Sequence, residues 1–119
     1  MGSSFTDINT LEELDGVLAE SNNRPALLFK HSTSCPISTR AFREFESFLE
    51  SADPAVAYRL ITVQRARPVS DEAANRLSLK HETPQAILID KGREIWNASH
   101  FDITSASLQD AVREVTGRG

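Results

Sequence analysis

The sequence predicts an α/β protein: a central mixed sheet of four to five strands flanked by helices on both faces. Three observations point that way. Two apolar runs of strand length, Ala26-Leu27-Leu28-Phe29-Lys30 and Ala86-Ile87-Leu88-Ile89, are unbroken, as expected of strands covered on both sides. Segments with helical spacing of apolar residues alternate with the strand-like runs. Lys91-Gly92 then separates the second run from Glu94 to Ala98, which marks an antiparallel hairpin. At 119 residues the chain can bury one core and is short for two, so residues 1–119 are expected to form a single domain.

Taken in order, Phe5 to Ile8 reads as a short edge strand. Thr10-Leu11-Glu12-Glu13 is a capping box that opens a helix with Leu11, Leu14 and Leu18 on one face. After Ser21-Asn22-Asn23 and Pro25 comes the first buried strand. The following helix places Ile37, Ala41, Phe45 and Phe48 at helical spacing, with Arg40, Arg43, Glu44 and Ser47 elsewhere around it. Phe42, Phe45 and Phe48 therefore read as core packing. Ala57 to Val63 is the next strand, broken by Arg65-Ala66-Arg67-Pro68. Ser70 is expected to cap a helix running to about Lys80, with Ala73, Ala74 and Leu77 toward the sheet. After the hairpin, with Trp96 as core or edge cover, Thr104 caps a last helix. Its Leu108, Val112 and Val115 face inward, Ile103 staples to Leu108, and Gly117 ends it.

The formal charge of −4 comes from mixed signs spread along the chain. No basic stripe suggests nucleic acid, and no run is long and apolar enough for a bilayer. The N-terminus lacks the charge and apolar stretch of a signal peptide, so a cytoplasmic location is expected. Met1-Gly2-Ser3-Ser4-Phe5-Thr6 and Asn97-Ala98-Ser99 match the loose myristoylation and N-glycosylation patterns, and nothing else in the chain supports either.

The chemical centre is Ser32-Thr33-Ser34-Cys35-Pro36-Ile37-Ser38, where a buried strand meets an amphipathic helix. Cys35 is the chain's one cysteine, so no internal disulfide can form, and a reducing compartment suits a free thiol. Proline is preorganised for a first helical turn, which puts Cys35 at or beside the N-cap, next to the unpaired N–H groups of that turn. Positive potential there favours thiolate over thiol. In a Cys-x-x-Cys oxidoreductase the second cysteine would stand at position 38, and here it is Ser38. The sulfur can therefore enter a mixed disulfide, but the chain holds no second sulfur to resolve it. Ser38 could donate a hydrogen bond to the thiolate or simply cap the backbone near the helix start.

The order β-α-β-α-β-α-β-β-α, with a cysteine at the start of the second helix and Thr83-Pro84 before the fourth strand, resembles the thioredoxin fold. More closely, Thr33-Ser34-Cys35-Pro36-Ile37-Ser38 with His81-Glu82-Thr83-Pro84-Gln85 resembles the monothiol bacilliredoxins of the YtxJ type, over nearly the whole chain. The resemblance implies that the Thr83-Pro84 bond is cis and lies against the active cysteine, and that Thr83 offers its backbone N–H and C=O to an extended substrate. It implies further that Cys35 removes bacillithiol, a low-molecular-weight thiol, from mixed disulfides on other proteins. Cys35 and Ser38 are then the catalytic pair, and Ser34, Pro36, Thr83 and Pro84 form the substrate surface. Bacillithiol is the co-substrate and there is no resident cofactor or metal. An external thiol or reductase must regenerate the protein.

His31, after the buried strand, and His81, before Pro84, are candidate auxiliaries that would favour the thiolate if protonated; loop histidines are more often simply solvated. Lys30, Arg40, Arg65 and Arg67 are candidates for the carboxylates of bacillithiol's malate group, against a default of solvated charges. Three rival functions remain open. A shared iron–sulfur cluster, as in Cys-x-x-Ser glutaredoxins, is disfavoured because those carry glycine after the cysteine where this chain has Pro36. His31, His81 and His100 with one cysteine match no zinc spacing. A thiol peroxidase would use Ser32 three residues before Cys35, but the chain is short for that family. A partner-binding thioredoxin-fold module without thiol turnover would keep its partner after Cys35→Ser.

Overall fold

The computed structural model describes residues 2–117; Met1 of the myristoylation pattern and the last two residues of the expected 1–119 domain lie outside them. The elements are β1 (Thr6–Asp7), α1 (Leu11–Glu20), β2 (Ala26–His31), α2 (Pro36–Leu49), β3 (Ala57–Thr62), α3 (Arg67–Leu77), β4 (Gln85–Asp90), β5 (Arg93–Ser99), a 3-10 turn (His100–Asp102) and α4 (Ser105–Thr116). The sheet order is β1-β3-β2-β4-β5. β3 runs parallel to β1 and β2, and β4 runs antiparallel to β2 and β5, so the sheet is mixed as predicted.

Alternation along β2 divides the core in two. Leu27 and Phe29 point toward α2 and α4, where they meet Ala41, Phe45, Phe48, Leu108 and Val112. Ala26 and Leu28 point the other way, toward Leu14, Val17, Val69, Ala73 and Leu77 of α1 and α3. Every residue of β2 is buried, which explains its unbroken apolar run. Phe29 and Phe45 stack with centroids 5.0 Å apart, and Phe48 meets Tyr58 edge-on at 5.6 Å. The phenylalanines expected in the core are there, Phe42 at its margin.

Local signals mostly act as expected. Thr10 and Glu13 close a capping box on α1, and Thr104 with Ser107 closes another on α4. Lys91 and Gly92 take positive φ of 52° and 75°, the geometry of a two-residue hairpin whose twist matches its strands. Gly117 ends α4 at φ 72°.

Three expectations are corrected. Leu11 is 47% exposed, and the buried face of α1 is instead Leu14 and Val17 with Leu18 beside them. α3 begins at Arg67, not Ser70: Ala66 is its N-cap, Pro68 sits in its first turn, and Ser70 is buried inside it. Proline needs no amide hydrogen in a first turn, so Pro68 starts the helix it was expected to precede. α3 also ends earlier than Lys80, at Leu77, with Ser78 as its C-cap in the left-handed conformation, φ 51°.

The registers bring the motifs to one end of the sheet. Lys30 at the end of β2 is paired with Gln85 at the start of β4, and His31 with Thr62 at the end of β3. The loop carrying Cys35 and the loop carrying Thr83-Pro84 therefore leave the same edge, as does the segment after β3.

Candidate active site

Cys35 is the N-cap of α2, with extended backbone at φ −109° and ψ 121° and Pro36 next in the helix. Its carbonyl accepts from the Thr39 N–H at 3.0 Å and the Thr39 hydroxyl at 3.2 Å, which anchors the turn. The thiol is free and half-buried. The Cys35 side chain makes no capping hydrogen bond to the first turn. Ser34 and Pro36 on either side are exposed.

The cysteine loop is held from below and from one side. Ser38 is fully buried; its hydroxyl accepts from the Ser32 N–H at 2.9 Å and lies 2.7 Å from His31 Nδ1. Burial pushes the His31 imidazole toward its neutral form, with Glu46 acting weakly the other way. A neutral Nδ1 can accept the Ser38 hydrogen, so both groups are satisfied at once. His31 also stacks on Phe42, with centroids 4.7 Å apart. Neither Ser38 nor His31 hydrogen-bonds to Cys35 among the described residues; they shape the loop that presents it. From the side, Gln64 just beyond β3 donates to Ser32 and Ser34 hydroxyls at 2.9 and 3.1 Å and accepts from the Thr33 N–H at 3.3 Å. Sequence reading missed Gln64, because a polar residue after a strand carries no spacing signal.

The second loop carries a cis Thr83-Pro84 peptide. Pro84 is buried, and its carbonyl accepts from the His100 N–H at 3.1 Å, which ties the loop to the 3-10 turn. Thr83 is half-buried; its own N–H and C=O carry no backbone hydrogen bond among the described residues. Its hydroxyl oxygen lies 3.1 Å from His81 Nε2. His81 Nδ1 in turn accepts from Lys30 Nζ at 3.1 Å, with Ser70 Oγ at 3.4 Å. His81 is thus in a surface loop yet bonded at both nitrogens, and burial and the Lys30 charge both hold it toward neutrality.

Lys30 departs from the solvated default. It is completely buried, its amine pushed down to about 8 by desolvation while Asp71 pulls it up. Its place in the buried apolar run is the one sequence signal of this, and that signal was read for the strand and not for the lysine. Arg40, Arg65 and Arg67 are exposed. The Arg40 guanidinium sits 5.2 Å from the ring centroid of Phe101, which is 60% exposed. Among the described residues, no group of three or more His, Cys, Asp and Glu could hold a metal ion. No helix among them is long and apolar enough to cross a membrane.

Comparison with known families agrees with this geometry. Residues 6–108 match the model of the monothiol bacilliredoxin family BrxC. The chain belongs to that family. A solved structure described as a thioredoxin-fold protein assigned to the oxidoreductases is similar to this bacilliredoxin-family chain with a TM-score of 0.78 and 33% identity, over 89% of this chain and 91% of that one. Thioredoxin from Trypanosoma brucei brucei superposes with a TM-score of 0.79 at 12% identity, over 98% and 95% of the two chains. Thioredoxin from Malassezia sympodialis does so at 0.76 and 15%, over 98% and 93%. These last two bear on the fold alone. Bacilliredoxin membership and the thioredoxin fold together support a thiol oxidoreductase role for the chain.

Proposed function

We propose that the protein is a monothiol oxidoreductase that removes bacillithiol from protein mixed disulfides through Cys35. The observation that carries this is a half-buried lone cysteine at a helix N-cap, on the same sheet end as a cis-proline loop whose Thr83 backbone makes no backbone hydrogen bond among the described residues. Cys35 thiolate attacks the bacillithiol sulfur of the mixed disulfide. A Cys35–bacillithiol bond forms, the protein–bacillithiol bond breaks, and the electron pair leaves on the protein sulfur. A second bacillithiol thiolate, or a reductase dithiol, then attacks the adduct and frees Cys35. Ser38 cannot do this, since it has no sulfur and its hydroxyl is engaged by His31 and Ser32.

In this reading Ser34, Pro36, Thr83 and Pro84 border the incoming disulfide, and the exposed Arg40 of α2 pairs with the malate carboxylates. No resident cofactor or metal takes part. A reducing compartment such as the cytoplasm keeps the single thiol available.

The test is release of a protein thiol from a bacillithiolated model protein mixed with reduced enzyme. One equivalent is expected without added reductant and multiple turnovers with excess bacillithiol, while Cys35→Ser releases none. Equal release by Cys35→Ser would contradict the proposal, and equal rates on the glutathione mixed disulfide would widen the substrate to low-molecular-weight thiols at large.

A further inference from the structure

A fully buried lysine, a loop histidine and the threonine before the cis proline are joined end to end, and the order of the joints fixes which atom donates. A charged amine only donates, so Lys30 Nζ gives its hydrogen to His81 Nδ1 at 3.1 Å. Ser70 Oγ, 3.4 Å from the same nitrogen, points a second donor at it. A neutral imidazole that accepts at Nδ1 carries its hydrogen on Nε2. Nε2–H therefore donates to Thr83 Oγ1 at 3.1 Å, and the hydroxyl hydrogen of Thr83 is turned away from His81, with no acceptor for it among the described residues.

We propose that Lys30, His81 and Thr83 form a one-way hydrogen-bond relay that commits the Thr83 hydroxyl to donating to the sulfur that leaves when Cys35 takes over a mixed disulfide. This rests on the exchange reaction proposed above. As the old S–S bond breaks, the departing sulfur gains the electron pair, and a fixed donor at the cis-proline loop stabilises that charge. No proton need cross; the thiolate is protonated by water after it leaves. Lys30 and His81 are positioning residues, and Thr83 is the group that meets the reacting sulfur.

The relay is electrostatically one-sided. No carboxylate lies within ion-pair distance of Lys30 among the described residues. The charged and titratable groups around the pair are Asp71 and Arg67 of α3 and Glu82 of the loop, with the neutral Gln85 opposite Lys30 on β4. An uncharged amine could accept instead of donate, which would let the chain reverse and turn the Thr83 hydrogen inward.

The experiment compares wild type, Lys30→Met, His81→Leu, Thr83→Val and the Lys30→Met/Thr83→Val double variant on two bacillithiol mixed disulfides. One carries an alkyl cysteine peptide as leaving thiol, the other the acidic aryl thiol 5-thio-2-nitrobenzoate. A basic leaving thiol needs the donor and an acidic one does not. Each single variant is expected to slow the alkyl reaction about tenfold, with the double variant no slower. In Lys30→Met and His81→Leu, which act only through Thr83, the aryl reaction and alkylation of Cys35 by iodoacetamide should stay within about twofold, since neither expels a basic sulfur. The wild-type advantage on the alkyl substrate should also shrink as pH rises past about 8, where Lys30 loses its proton. Unchanged alkyl rates, equal losses on both leaving thiols, or losses that multiply in the double variant would each overturn the relay. If Lys30→Met does not fold, His81→Leu and Thr83→Val carry the comparison. Should wild type ignore both bacillithiol probes, the bacillithiol reading fails by itself, and the glutathione mixed disulfide of the same peptide tests the relay in its place.

Discussion

Desolvating an ammonium costs free energy, and Lys30 shows that cost in its proton affinity. Its pKa falls from 10.5 to about 8 on folding, so between those values the unfolded chain binds more protons than the folded one. Stability should therefore rise with pH from about 8 upward, the charged-state penalty being present in full below the folded value and relieved as the proton is lost. Tyr58 acts oppositely: burial raises its pKa, so its contribution turns downward once the unfolded phenol begins to ionise near 10. Denaturant titrations between pH 7.5 and 9.5 should thus show a rise in wild type, on the order of 1–3 kcal/mol in total. The slope should vanish in Lys30→Met; a rise that persists there would assign it to another group. At the cysteine loop, Ser38→Ala strands the buried His31 Nδ1 and Ser32 N–H together. A loss of about 1–3 kcal/mol is expected by chemical denaturation, with slower exchange through a loosened loop. Cys35 was legible as the residue that opens α2 from its place between strand and helix. The partners of Ser38 and His31 were not, because a contact across a turn depends on rotamers that spacing does not encode.

At the scale of elements, the helix starts with a side-chain cap were read well, and the start of α3, which has none, was not. Thr10 and Thr104 each bond the N3 amide, as their sequence patterns foretell. Replacing Thr104 by alanine should cost about 1 kcal/mol, measurable as a shift in the urea midpoint. Ala66 caps α3 with no side-chain bond at all, and a proline that reads as a breaker lies in the first turn, so the cap was placed four residues late, at Ser70. The C-terminal end of α3 turns at Ser78 in the left-handed region, which disfavours a residue with a Cβ. Ser78→Gly should raise stability by about 0.5–1 kcal/mol, and a fall would mean that the serine side chain holds the turn in some other way. The 3-10 turn at His100–Asp102 had no periodicity to betray it, yet its His100 amide fastens the cis-proline loop and its Phe101 lies against Arg40.

For the whole molecule, the decisive feature is topological. Parallel β3 and β2 beside antiparallel β4 bring the end of one buried strand and the start of another to a common edge, where sulfur, cis proline and buried lysine relay emerge together. Two buried apolar runs and a hairpin were enough to read this architecture, because burial on both faces leaves a strong imprint on composition. The relay stayed hidden because a lysine inside such a run looks like its charged end. Intact-mass analysis of the reduced protein after incubation with a bacillithiolated protein tests the central claim most directly. A single added bacillithiol, absent from Cys35→Ser and removed by free bacillithiol, is the expected result; a wild-type mass unchanged while the substrate keeps its bacillithiol would contradict the account.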